Sequence, residues 1–252
     1  MSTDRSLTLE KDLVVNRQLL HKGTYETFQS NPVTSKLAGG AATGSTGDTN
    51  LMLFPQTAFE YHIKGTQTIL APSKVAGGLD IGMDQTDNDG VEITQGITAG
   101  AKHAYTIGTD GPFHFRVKFT LPDVSGTDDC AIGFRKAAAY TANFDDYTDA
   151  ATLNVISGDI KIETILNNAA TTTTDTTQNW ADGETHELEV IVSAAGVVTY
   201  KIDGVAPTTT AAFTFDSTDV VVPFFFYLQA TTSPQSPVIV EWQVDTYPAF
   251  KG

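Results

Sequence analysis

The clearest pattern of hydrophobic and polar positions lies between Trp180 and Gly204, WADGETHELEVIVSAAGVVTYKIDG. Leu188, Val190 and Val192 alternate with Glu187 and Glu189, and after Ala194-Ala195-Gly196 the alternation resumes with Val198, Tyr200 and Ile202. A period of two puts successive side chains on opposite faces of a strand, so this stretch predicts a β-hairpin, with Asp203-Gly204 as the next turn. The same period sets Phe113, Phe115, Val117, Phe119 and Leu121 on one face and His114, Arg116, Lys118 and Thr120 on the other; Pro122-Asp123 ends that strand. Further strands are expected at CAIGFRK (130–136), LNVI (153–156) and IKIETIL (160–166), the last two separated by a turn at Gly158-Asp159. In VIVEWQVDTY the count places Val238, Val240, Trp242 and Val244 inward.

Other segments read less regularly. Phe59, Tyr61 and Ile63 alternate with Glu60, His62 and Lys64, and a glycine- and aspartate-rich stretch follows, suited to tight turns. VVVPFFFYL (220–228) is almost continuously apolar, the pattern of a strand covered on both faces. Pro223 donates no hydrogen bond and implies a bulge or an edge position. On an edge, Phe224, Phe225 and Phe226 become a candidate subunit contact. Residues 169–179, AATTTTDTTQN, read as an exposed polar loop. Strands at short intervals, with turn signals and no long amphipathic helix, predict an all-β, two-sheet antiparallel sandwich. Its expected organisation is an extended N-terminal arm and Gly/Ala/Thr linker over 1–50, a short-strand segment over 51–110 packing on or joining the sandwich, and the sandwich itself over 111–252.

Composition narrows the function classes. The 252 residues are 40% hydrophobic, enough for a core without staples. The net charge of −15, from 30 acidic and 15 basic residues, is the opposite of what nucleic acid or an anionic membrane surface selects. A single cysteine, Cys130, rules out an internal disulfide and reads as a buried, inert thiol. The first twenty residues lack a basic segment followed by an apolar run, and no window of about 18 apolar residues occurs. The expectation is a chain made in a cytoplasm, with no membrane span.

Candidate chemistry is sparse. Asp84, Asp87 and Asp89 cluster on a bent, glycine-containing stretch, as a calcium site requires, although the spacing fails the EF-hand pattern. No other cofactor is indicated. The histidines at 21, 62, 103, 114 and 186 show no zinc-ligand spacing. No GxSxG elbow, phosphate loop or dinucleotide fingerprint occurs. Asp145-Asp146 and Glu187/Glu189 are conceivable carboxylate pairs for glycoside hydrolysis, with nothing to set them apart from solvated carboxylates. Tyr140, Phe144, Tyr147 and Trp180 are aromatic residues that, on loops, stack on sugars.

Trp180-x-Asp182-Gly183-x-x-His186, followed by alternating strands and Asp203-Gly204, resembles the turn and strand pair of the concanavalin A-like jelly-roll superfamily, including laminin-G domains. The resemblance spans roughly residues 111–247 and implies a fold shared by lectins, hydrolases, adhesion modules and viral structural proteins. The glucanase branch carries an ExDxxE strand, and Glu241-Trp242-Gln243-Val244-Asp245 departs from it in spacing. Residues 50–98, with the acidic, Thr/Ala/Gly-rich style of the chain, resemble virion structural proteins of tailed bacteriophages. That resemblance implies a non-enzymatic protein decorating or cementing a capsid, partnered by the major capsid protein or other virion subunits, as a homo-oligomer and plausibly a trimer. A carbohydrate-binding module of a tail fibre or adhesin is the alternative.

Overall fold

A computed structural model describes residues 24–27, 36–38, 49–53, 58–65, 73–75, 77–82, 86–232 and 236–246. Among these, the strands in chain order are β1 (Thr24–Thr27), β2 (Lys36–Ala38), β3 (Thr49–Leu53), β4 (Ala58–Lys64), β5 (Ser73–Val75) and β6 (Gly78–Asp80). There follow β7 (Gly90–Thr94), β8 (Tyr105–Thr106), β9 (Phe113–Thr120), β10 (Thr127–Lys136), β11 (Ala150–Ile156) and β12 (Asp159–Ile165). The chain closes with β13 (Thr172–Asn179), β14 (Thr185–Val192), β15 (Val198–Ile202), β16 (Val220–Gln229) and β17 (Val238–Thr246). They form two antiparallel sheets. The smaller runs β15-β14-β9-β17-β6-β5, with β1 also on β17; the larger runs β13-β12-β11-β10-β16-β7-β4-β3-β2, with β8 also on β16.

The inner faces are the ones the alternation marks. Phe113, Phe115, Val117 and Phe119 of β9, with Leu188, Val190 and Val192 of β14, share one core with Ile132 and Phe134 of β10, Leu153 and Val155 of β11, and Phe225 and Tyr227 of β16. Aromatic rings interlock across it. Trp242 meets Phe115 at 4.5 Å and Phe59 at 5.0 Å between centroids, and Phe119 lies between Trp180 at 4.6 Å and Phe225 at 5.4 Å. Each such ring, fully buried, contributes about 1.5–3 kcal/mol by leaving water. Cys130 is a core residue of the inner face, and burial pushes its thiol pKa up.

The W-x-D-G-x-x-H turn is a structural clamp. Trp180 is buried; its backbone N–H donates to Gly158 O at 2.7 Å and its indole N–H to Glu184 O at 3.0 Å. Asp182 accepts from the Val124 amide at 2.9 Å. His186 packs edge-on against Trp180, and its Nδ1 lies 2.6 Å from Asp203, whose other oxygen accepts from the Glu187 amide at 2.9 Å. The motif thus ties β14 to the hairpin turn after β15.

Three sequence expectations need correction. Residues 172–179 form the edge strand β13 rather than a loop: an edge needs one ladder only, and β-branched threonine suits a pleated surface. In β17 a register shift between Ile239 and Glu241 changes the parity, so Ile239, not Val238, joins Trp242 and Val244 in the core. Pro223 sits in a central strand, where the neighbour of β16 changes from β8 (at Val220–Val221) to β7 (at Phe224–Leu228). Phe224, Phe225 and Phe226 are therefore fully buried within the chain and offer no surface to a second subunit. Within 1–50, the described strands β1, β2 and the start of β3 pair into the two sheets, and the rest of the expected arm and linker lies outside the described residues. The 51–110 segment, expected to pack on or join the sandwich, supplies strands to both sheets.

Candidate functional site

In β16, alternate residues face opposite ways: Phe225 enters the core between the sheets, while Phe224, Phe226 and Leu228 face outward from the larger sheet. Three adjacent apolar side chains on an outer face need a cover. The segment 137–149, between β10 and β11, supplies it as a strap across the sheet. Its Phe144 and Tyr147 pack on Phe224 at 6.3 and 6.0 Å, and Phe144 meets Phe226 at 6.4 Å. The outward residues of β10 beneath it are small, Ala131 and Gly133, which leaves room for these rings.

The strap also seals a charged cluster. Glu92 of β7 accepts from Arg135 Nε at 2.7 Å and from Lys64 Nζ at 3.2 Å, and the Tyr147 hydroxyl donates to it as well. All three charged side chains are within 2% of complete burial. Backbone carbonyls at the end of β10 and in the strap take further cationic donors: Arg135 Nη1 donates to the carbonyls of Lys136 and Ala138, each at 3.1 Å, and Lys64 donates to Thr141 O, while Arg135 Nη2 is buried without a partner. Arg135 lies over the Tyr147 ring at 4.4 Å. Burial pulls the Lys64 pKa down, opposed by Glu92; for Arg135 burial pulls down too, but Glu92 outweighs it. At the β4 end, half-buried Tyr140 stacks on His62 at 4.0 Å and donates to Glu60 at 2.7 Å, with Thr94 at 2.9 Å.

A second polar network occupies the same face over β10, β11 and β12. The Asn154 amide nitrogen donates to Asp129 at 2.6 Å and to Glu163 at 2.7 Å, while its oxygen accepts from the Cys130 amide at 2.8 Å. Thr173 of β13 donates to the other Glu163 oxygen at 2.8 Å. The Asn154 amide stands between the two carboxylates and fills the gap that a sugar would need between a glycosidase pair. Asn154 is fully buried and Glu163 nearly so, and the network reaches the surface at Asp129 and Thr173.

The residues singled out in the sequence are scattered. Asp87 is exposed, and Asp89 is buried against the positive-φ turn at Gly65, where an added Cβ would stand 2.0 Å from its carboxylate. Asp84 lies outside the described residues, and among those described no three His, Cys, Asp or Glu side chains are grouped to hold a metal ion. Phe144, Tyr147 and Trp180 are core residues rather than sugar platforms; of the four aromatic candidates only Tyr140 is half-exposed. Glu187 and Glu189 lie on the outer face of the smaller sheet, Glu187 3.1 Å from Arg116, Glu189 2.6 Å from His114 and 3.0 Å from Lys201. They are ion-paired carboxylates of a charged sheet face. Asp145 and Asp146 are exposed on the one-turn 3-10 helix Phe144–Asp146 of the strap. The outward residues Lys64, Glu92, Asp129, Arg135, Asn154 and Glu163 were missed, because in the sequence they look like ordinary solvent positions of alternating strands.

No protein-family model and no curated protein matches the chain in sequence. Solved structures do match in fold. The carbohydrate recognition domain of Emp46p in its potassium-bound form aligns with a TM-score of 0.51 at 8% identity, covering 74% of this chain and 88% of that one. Its metal-free form gives 0.50 at the same identity, over 74% and 87%. The carbohydrate-binding module CBM66 from Bacillus subtilis aligns over 74% of this chain and 95% of that one, at 10% identity and a TM-score of 0.45. The two-sheet jelly-roll sandwich expected from the sequence is the fold observed.

Proposed function

We propose that this chain is a non-catalytic carbohydrate-binding module whose ligand face is the outer face of the larger sheet. The observation that carries the reading is the Asp129–Asn154–Glu163–Thr173 network, in which side chains of four neighbouring strands are locked by hydrogen bonds on the strand side of the strap. Preorganised acceptors of this kind recognise hydroxyls without a further cost of ordering side chains. The likeness to the Emp46p carbohydrate recognition domain adds support at the level of fold. The net charge of −15 favours neutral over anionic glycans. Screening on a glycan array, followed by titration calorimetry, tests the reading. Thr173→Ala, at the exposed edge of the network, is expected to weaken binding by about tenfold, the equivalent of one well-placed polar interaction. Lys201→Ala on the opposite sheet is expected to leave it unchanged. Absence of binding to any neutral glycan at millimolar concentration contradicts the proposal. A capsid-decorating homotrimer is a separate proposal that rests on the resemblance of residues 50–98 alone, and a monomeric mass by sedimentation removes it.

A further inference from the structure

The W-x-D-G-x-x-H turn carries a histidine whose two ring nitrogens both face carboxylates. His186 Nδ1 lies 2.6 Å from Asp203 Oδ2, in the turn after β15, and its Nε2 lies 3.1 Å from Glu184 Oε2, in the turn before β14. Ionised carboxylates only accept hydrogen bonds, and a neutral imidazole has a single N–H to donate. Both contacts are therefore hydrogen bonds only when the ring carries two protons. Each carboxylate has a second duty: Asp203 Oδ1 accepts from the Glu187 amide and Glu184 Oε2 from the Ala181 amide, each at 2.9 Å. The other charged groups around the ring have their own contacts. Asp182 of the same turn accepts from the Val124 amide, Glu187 pairs with Arg116 of β9, and Lys201 of β15 pairs with Glu189. From β9, Phe119 stands opposite His186 in register and Lys118 opposite Glu187. The charges that act on the ring are those of Asp203 and Glu184.

We propose that His186 is a proton-operated latch: doubly protonated, it fastens the Glu184 side chain to the start of β14, and it releases Glu184 when Nε2 gives up its proton. The geometry decides which contact opens. The Asp203 contact is the shorter one, and Asp203 is tied to the Glu187 amide, so Nδ1 keeps its proton. Nε2 then presents a lone pair to Glu184, whose side chain is 51% exposed and turns into water. Burial pulls the His186 pKa down, but the hydrogen bonds to Asp203 and Glu184 outweigh it and hold it above the ordinary value. The hydrogen bond from the Ala181 amide, joined by that from His186, holds Glu184 below its ordinary value. The signs follow from linkage. A histidine raised in the folded state contributes stability in full below its unfolded pKa of about 6.5, and loses it as pH rises through the folded pKa. A lowered glutamate contributes above its unfolded pKa of about 4.3, and loses it as pH falls through the folded pKa. The latch is thus closed in weak acid and opens as pH rises past the folded pKa of His186. The turn itself stays in place, because Gly183 donates to Leu121 O at 2.8 Å and the Trp180 indole to Glu184 O at 3.0 Å. The change is confined to the Glu184 side chain and the Ala181 amide.

A pH titration of the full chain by NMR tests this, reading the imidazole nitrogen resonances and the solvent exchange of amides corrected for the intrinsic rate. His186 is expected to titrate above the ordinary value of about 6.5, and its neutral form to carry the proton on Nδ1. The Ala181 amide is expected to be several-fold better protected at pH 6 than at pH 8, with the Glu187 amide unchanged. Glu184→Gln, at an exposed site, keeps an acceptor for Ala181; it is expected to lower the His186 midpoint and to abolish the difference at Ala181. Asp203→Asn is expected to lower the midpoint as well. A midpoint at or below the ordinary value, a midpoint unmoved by Glu184→Gln, a neutral ring protonated on Nε2, or equal protection of Ala181 at both pH values overturns the proposal. No sugar enters this experiment, so its outcome is independent of whether the module binds one.

Discussion

Glu92→Gln is expected to destabilise the protein by about 3–5 kcal/mol, the cost of removing one partner from a buried ion pair. Glu92 is the carboxylate for both Arg135 and Lys64, and all three side chains are almost completely shielded from water. Glutamine keeps the shape and one acceptor oxygen but leaves two buried cations without a counter-ion. For a domain whose total stability lies in the range of about 5–15 kcal/mol, this is a large fraction. Denaturant unfolding measures it as a fall in midpoint with an unchanged slope. Adding Lys64→Met should recover part of the loss, because one stranded cation is gone. A Glu92→Gln protein as stable as the original contradicts the cluster as described.

The second large effect is expected at Trp242. Its ring is fully buried between Phe59 and Phe115, and its indole N–H donates to Gln95 at 3.2 Å. Trp242→Ala removes the largest side chain of β17 from the middle of the core and leaves a cavity that rigid strands on both sides cannot close. The cost is expected at about 3–5 kcal/mol, and Trp242→Phe, which retains part of the ring volume, is expected to cost less. Thermal unfolding by circular dichroism compares the two.

The inner half of this molecule is legible in its sequence, because one buried face and one wet face produce alternation. β9, β14 and β15 show it directly, and the β11–β12 hairpin shows it with a turn whose Ser157 and Gly158 both adopt positive φ. Where a strand departs from that condition the signal fails. β13 has one ladder and almost no apolar residues, so its threonines look like loop. The bulge in β17 changes parity in a way that no count of residues reveals. The outer face of the larger sheet is harder, because polar residues that are locked together look the same in sequence as polar residues in water. One clue was present. A run apolar on both faces, VVVPFFFYL, requires a cover on its outer side, and whatever lies beside Phe224 and Phe226 in register, Thr94 and Glu92 among them, is then covered too. Following that register from β16 outward would have led to Glu92 and on to His62.

The working face is the central claim, and a hydrogen-exchange footprint with a saturating neutral glycan identified on an array tests it most directly. The account predicts added protection confined to β10, β11, β12 and β13 around Asp129, Asn154, Glu163 and Thr173, with none on β14 and β15. Protection on the outer face of the smaller sheet, around Glu189 and Lys201, would contradict it.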